Sequence, residues 1–169
     1  MFVFYSSSII VDDSSFDNNG VDDDGGVMYA SFDGSSIIVD NSSFNNNKAV
    51  EDGGVMYAFS SSNITVVNSY FNNNGVDYDG GVLVAYGGSY ITVADCSFTN
   101  NEAGSDGGVM YAQYRSSIIV DNSFFNDNKA SYGGGAMWSE YSSSIIISNS
   151  DFNDNKAGDV VMSYVCTLQ

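Results

Sequence analysis

Acidic side chains at repeated positions are the first residues here whose type and spacing suggest chemistry. Asp12 and Asp40 occupy equivalent places in neighbouring copies of a repeat. If those copies stack as strands, the two carboxylates lie about 4.8 Å apart. That is close to the roughly 5–5.5 Å of a retaining glycosidase pair. A lyase would in addition need basic groups to stabilise developing negative charge. The chain has no histidine, and Arg115 is its only arginine. Lys48, Lys129 and Lys156 stand singly in one turn position. Any aspartate file in a stack produces the same spacing, so the reading is non-enzymatic. The alternative is a fragment of a polysaccharide-acting enzyme, lyase or glycoside hydrolase, using paired Asp residues.

A second acidic column, Asp24, Asp52, Asp79 and Asp106, immediately precedes Gly-Gly pairs. It has the hard oxygens that calcium prefers, but a calcium site wants about six to eight of them. The expected role is structural: each carboxylate accepts from the glycine amides that follow it, as turn aspartates do. No metal or cofactor is expected. For binding, the candidate is an outward aromatic column, Tyr29, Tyr57, Tyr111 and Trp138, broken by Val84. With Ile38 and Ile119 facing out of the neighbouring sheet, it would expose more apolar surface than a monomer usually shows. Such rings also stabilise a sheet simply by stacking. Ser35-Ser36 and Ser116-Ser117 recur in rows, but without the threonine rows that would favour ice binding. The sequons at Asn41 and Asn63 matter only for a chain secreted by a eukaryote, with Asn63 the better acceptor.

These side chains are positioned by a phrase of 27 residues written six times. Phe16, Phe44, Phe71, Phe98, Phe125 and Phe152 stand in register, 28 residues apart once and 27 thereafter. Five copies are followed by Gly-Gly, from Gly25-Gly26 to Gly134-Gly135. A fixed period of this size means a solenoid, in which each unit buries its apolar side against its neighbours. One inward column runs Ile9, Ile37, Ile64, Ile91, Ile118, Ile145, and two residues on comes Val11, Val39, Val66, Val93, Val120, Ile147. Period two is a strand. The Gly-Gly-Val-Met-Tyr-Ala segment supplies another strand, the phenylalanine a third, and a column of Val or Ala at Val21 and Ala49 closes the loop. The prediction is an all-β, right-handed parallel β-helix of about six coils and three parallel sheets, its hand following the general rule for parallel crossovers. The near-invariant Asn19, Asn47, Asn74, Asn101, Asn128 and Asn155 fall where the chain must turn. Asparagine tolerates positive φ there, and stacked amides bond one another in a ladder.

Composition bounds the rest. Twenty-one acidic against four basic residues give −17, which excludes nucleic acid as a partner and disfavours an anionic membrane. The only leucines are Leu83 and Leu168, so a leucine-rich repeat is ruled out. Cys96 fills a column otherwise held by serine, and with Cys166 two rungs away no disulfide is expected. No apolar run approaches the roughly 18 residues of a membrane span. Residues 1–169 read as one segment of a longer array, with 156–169 a degenerate terminal coil, and open strand edges make end-to-end self-association expected.

The tetrads Gly-Gly-Val-Met (25–28, 53–56, 107–110), Gly-Gly-Val-Leu (80–83) and Gly-Gly-Ala-Met (134–137) alternate with Phe-Asp-Asn-Asn, Phe-Asn-Asn-Asn, Phe-Thr-Asn-Asn and Phe-Asn-Asp-Asn. In that alternation the chain resembles the polymorphic outer membrane protein repeat of the chlamydial type. The resemblance covers nearly the whole chain, with valine where the family usually has alanine. It implies a surface-displayed β-helix passenger, extracellular and associated with an outer membrane, adhering to a protein or glycan on a host or neighbouring cell.

Overall fold

The computed structural model describes residues 1–158. Cys166 and most of the expected terminal coil, residues 159–169, lie outside the described residues. The chain winds as a parallel β-solenoid, each strand pairing in parallel with its equivalents one coil before and after. Among the described residues there are four six-stranded sheets, not the three expected. The first collects Phe2–Phe4, Met28–Ser31, Met56–Phe59, Leu83–Tyr86, Met110–Gln113 and Met137–Ser139. The second collects Ser8–Asp12, Ser36–Asp40, Asn63–Val67, Tyr90–Ala94, Ser117–Asp121 and Ser144–Ser148. The third carries the phenylalanines, from Ser15–Asp17 to Asp151–Asn153. The fourth consists of two-residue strands, from Gly20–Val21 to Lys156–Ala157. It is the segment expected merely to close the loop. Its backbone bonds from coil to coil instead, as where the Lys48 amide donates to the Asn19 carbonyl at 2.9 Å.

Register follows the columns. Ile37 pairs with Ile64 and Val39 with Val66, and Phe44 pairs with Phe71. The six phenylalanine rings form one interior file, with centroids 4.6–5.0 Å apart and planes within 9°. That spacing is the strand repeat itself. Branched residues fill the second sheet because they pack well on a pleated surface. The methionine and alanine columns of the first sheet close the same core, with Met28, Met56, Met110, Ala58 and Ala85 fully buried.

The Gly-Gly pair answers two separate demands. At its first position φ lies between +57° and +66° wherever the pair recurs, the left-handed region that glycine enters without steric cost. At its second position the next coil is too close for a side chain. A Cβ on Gly54 would lie 2.3 Å from the Gly81 carbonyl oxygen.

Candidate functional site

The predicted aromatic column faces away from the main core but is not open to solvent. Tyr29, Tyr57, Val84, Tyr111 and Trp138 stand in register on the outer side of the first sheet. There they form a second apolar cluster with Phe59 and Tyr86. Tyr57 is 5% exposed and Tyr111 3%, with Tyr29 and Trp138 half-buried. The glycine turn leans over one flank, its Gly53 Cα so near that a Cβ there would sit 3.5 Å from the Tyr57 Cβ. The Phe59 and Tyr86 rings cover the other flank, 6.3 and 6.4 Å from that of Tyr57. Burial pushes the Tyr57 and Tyr111 hydroxyls up from their ordinary value, so both stay protonated. Tyr111 donates to Glu140 Oε1 at 2.5 Å, and Gln113 Nε2 donates to the same oxygen. Trp138 Nε1 is buried without a partner among the described residues. The column is thus a largely covered layer, with Tyr57 and Tyr111 withdrawn from solvent and Tyr29 and Trp138 partly open.

The aromatic residues that do reach solvent lie one step away, at the corner between the first and second sheets. Tyr5, Phe32, Phe59, Tyr86, Tyr114 and Tyr141 make one continuous file, with successive centroids 5.4, 5.8, 5.4, 4.9 and 4.8 Å apart. Phe59 and Tyr86 end strands of the first sheet, whereas the other four occupy the turn one residue further on. Where the file changes track, the rings meet edge to face, at 88° between Phe32 and Phe59 and 65° between Tyr86 and Tyr114. Within a track they stack, as such rings prefer. Tyr5, Phe32, Tyr114 and Tyr141 are exposed. Column-by-column reading missed this file because it changes column. The signal was an aromatic one or two residues after the small core residue of each coil: Val3, Ala30, Ala58, Ala85, Ala112, Ser139. On the second sheet Ile10, Ile38, Ile119 and Ile146 face out and are exposed, as expected for Ile38 and Ile119.

The aspartate column works differently from expectation. Each carboxylate accepts from a backbone amide of the next coil, not from the glycines after it. The Asp52, Asp79 and Asp106 amides donate to Oδ1 of Asp24, Asp52 and Asp79 at 3.1, 3.1 and 2.9 Å, and Gly133 N–H to Asp106 at 2.8 Å. The glycine amides bond across coils too, Gly25 N–H to the Asp52 carbonyl. Because the turn repeats in register, the amides of one coil meet the acceptors of its neighbour. Burial pushes Asp24 up to about 6 and Asp52 to about 7, partly offset by those amide bonds, with neighbouring carboxylates adding to the rise. Asp79 and Asp106 are raised for the same first reason. At one end Asp23, Asp24 and Glu51 bring carboxylate oxygens within 4.8 Å of one another, which adds repulsion there.

The asparagines form their ladder. Asn47 Nδ2 donates to Asn74 Oδ1 at 3.0 Å and the Asn47 amide to the same oxygen at 2.9 Å; the pattern repeats from Asn19 to Asn155. From Asn47 to Asn155 the second amide hydrogen is used inward, as from Asn74 Nδ2 to the Phe44 carbonyl at 2.9 Å. Positive φ, however, falls on the residue before, at Asn18, Asn46, Asn73, Asn100, Asp127 and Asp154. The ladder side chain is therefore held by its bonds and not by a left-handed backbone. Serines do the same at the third-sheet corner, where the Ser42 amide donates to Ser69 Oγ and Ser42 Oγ to the Asp40 carbonyl. Cys96 takes that slot in its coil, donating to the Ala94 carbonyl at 3.1 Å, and burial pushes its thiol up to about 12.

Asp12 and Asp40 are paired in register at the carboxyl ends of second-sheet strands, and Asn68 Nδ2 donates to Asp40 at 2.9 Å. Arg115 lies before the opposite end of the equivalent strand Ser117–Asp121, six residues ahead of Asp121 or about 20 Å at about 3.3 Å per residue, and three coils along the stack from Asp40. Lys48 and Lys129 pair with Asp77 and Glu102 at 2.7 and 2.8 Å on the exposed fourth sheet. The fold therefore does not bring a cation to the aspartate pair.

Coils in register, an interior ring file and turn ladders define a parallel β-solenoid whose chemistry is repetitive and not convergent. The family model for a right handed beta helix region matches residues 1–125 and 79–168. The chain belongs to the right-handed β-helix family, and the hand expected from parallel crossovers is that of the family. Comparison with curated proteins and with solved structures gives no match. No helix among the described residues is long and apolar enough to cross a membrane.

Proposed function

We propose that this chain is a non-enzymatic display segment of the cell surface or extracellular space, a stiff rod whose repetitive outer surface adheres to a protein or glycan. The observation that carries this reading is the exposed corner file from Tyr5 to Tyr141, with the row of outward isoleucines beside it. Aromatic and apolar side chains held on rigid strands lose little freedom when a partner covers them, and tyrosine supplies both apolar area and a hydroxyl. A strongly acidic chain remains soluble despite that surface. The alternation of Gly-Gly tetrads with Phe-x-x-Asn supports kinship with the polymorphic outer membrane protein repeat, and through it an outer-membrane-associated location.

The test is adhesion of the labelled chain to intact cells and to a panel of immobilised glycans. Replacing Tyr114 and Tyr141 together by serine is expected to lower adhesion at least about tenfold, the loss of about 1.4 kcal/mol of contact, with unchanged circular dichroism. A double variant that adheres as well as the wild type refutes the assignment of adhesion to the corner.

A further inference from the structure

The outer face of the second sheet is apolar along one line and acidic along one border. Its central outward column runs Ile10, Ile38, Thr65, Thr92, Ile119 and Ile146, in register from strand to strand. The four isoleucines are 38–73% exposed, whereas the inward Ile37 and Ile118 of the same strands are fully buried. The line crosses all six strands, five steps of about 4.8 Å, or about 24 Å. An apolar sheet face is ordinarily covered by a second layer, and this one is open.

The acidic border lies two residues further along each strand, about 7 Å from that line at about 3.3 Å per residue. Asp12, Asp40 and Asp121 end their strands there, and Asp13 and Asp95 sit in the turn that follows. Four of these carboxylates accept a side-chain amide from the asparagine of the next coil: Asp13 from Asn41, Asp40 from Asn68, Asp95 from Asn122 and Asp121 from Asn149. The bonds hold the acids in a row without cancelling a charge, because asparagine is neutral. Those from Asn149 and Ser148 keep the Asp121 carboxyl below its ordinary value, so it stays ionised. None of the chain's four basic side chains lies on this border. Lys48, Lys129 and Lys156 belong to the fourth sheet, and Arg115 precedes the opposite end of its second-sheet strand.

Charge and backbone together narrow what can cover the line. A net charge of −17 repels polyanions, and a second copy of the chain carries the same charge and the same border. Every inner strand of the sheet is paired on both sides, so the face offers no backbone partners to an incoming strand. A partner must therefore satisfy its own backbone, as an α-helix does. A line of about 24 Å accommodates about 16 residues of helix at about 1.5 Å each. With its side chains such a helix is about 10–12 Å wide, so one centred on the line brings its flank to the border.

We propose that this face docks a cationic amphipathic helix of a partner protein, its apolar stripe on the isoleucine line and its Lys or Arg side chains against the aspartate border. Arg115 stands on the other side of the line, so the cations of the helix belong on one flank only. The site rests on the display reading above and gives the protein partner a chemistry.

Fluorescence anisotropy of a labelled leucine–lysine peptide of about 18 residues, its leucines spaced to form one helical stripe, titrated with the whole chain tests this. A scrambled peptide of the same composition and a patterned leucine–glutamate analogue are the controls. The patterned cationic peptide is expected to bind at least about tenfold tighter than the scrambled one and to gain helical circular dichroism on binding. The glutamate analogue should not bind. Ile38→Ser with Ile119→Ser should weaken binding at least about tenfold. Asp40→Asn with Asp121→Asn keeps an oxygen for Asn68 and Asn149, and should weaken binding about threefold and flatten its dependence on salt. No binding by the wild type, equal binding of the patterned and scrambled peptides, or full binding by either double variant overturns the site. A chain that adheres to cells yet does not bind the peptide overturns the sheet face and leaves the display reading standing. Peptide binding by a chain that does not adhere does the reverse.

Discussion

Replacing Asp52 by asparagine should stabilise this protein at neutral and alkaline pH and leave it unchanged in acid. The Asp52 carboxyl sits in a turn between those of Asp24 and Asp79 and beside Glu51, and its proton is held from the ordinary 3.8 up to about 7, chiefly by burial. In the unfolded chain an aspartate gives up its proton near pH 4. Between about pH 4 and 7 the unfolded state therefore binds fewer protons, and stability falls as pH rises through that window. The contribution is complete below about pH 4 and gone once pH has passed the folded value. A displacement of about three pH units at about 1.36 kcal/mol each is about 4 kcal/mol. Asp52 keeps some contact with solvent, and screening reduces that to about 2 kcal/mol. Asparagine retains the oxygen that accepts the Asp79 amide at 3.1 Å and carries no charge. At pH 8 Asp52→Asn should raise stability by about 2 kcal/mol, about 4–8 °C in melting temperature for a chain of this size. At pH 4 the two proteins should melt together. Urea and thermal unfolding followed by circular dichroism from pH 4 to 8 measures both. A gain that is the same at pH 4 and pH 8, or no gain at pH 8, refutes the account of a proton held by burial.

Asn74→Ala removes the oxygen that accepts from the Asn47 amide and side chain and the donor to the Phe44 carbonyl, all buried. With these partners stranded, urea unfolding should show a loss of about 3 kcal/mol. In a Cys166→Ser background, Cys96 should resist a thiol reagent in the folded protein and react fully in denaturant. Cys96→Ser should change stability by less than about 1 kcal/mol, since serine holds the same slot in the other coils. Rapid labelling of the folded thiol would contradict its burial.

What the sequence made legible is whatever stays in one column. The phenylalanine file, the Ile and Val columns and the asparagine ladder each keep one residue type at one position, so stacking the copies reveals them. The fourth sheet was not legible, because a two-residue strand is too short to display the alternation that marks a strand. Nor was the cover over Tyr57 and Tyr111. The outward direction of that column was correctly read, but exposure depends on Phe59 and Tyr86 reaching across from another column and on the glycine turn leaning in. The exposed corner file escaped for a related reason: its members sit one or two residues past the small core residue, and the change of track appears only when rings are placed in space.

A stack in register forces like upon like, and the consequence differs with the side chain. Amides gain, because each carries a donor and an acceptor and the ladder closes on itself. Rings gain, because the strand repeat is near a stacking distance. Carboxylates lose, because they accept only and repel, and the aspartate column settles the conflict by taking amide donors from the next coil and retaining protons. A broken column therefore has to be filled by its neighbours or left open. Val84 breaks the buried tyrosines and is covered, whereas Gly87 and Gly88 break the corner and leave open space beside the one arginine.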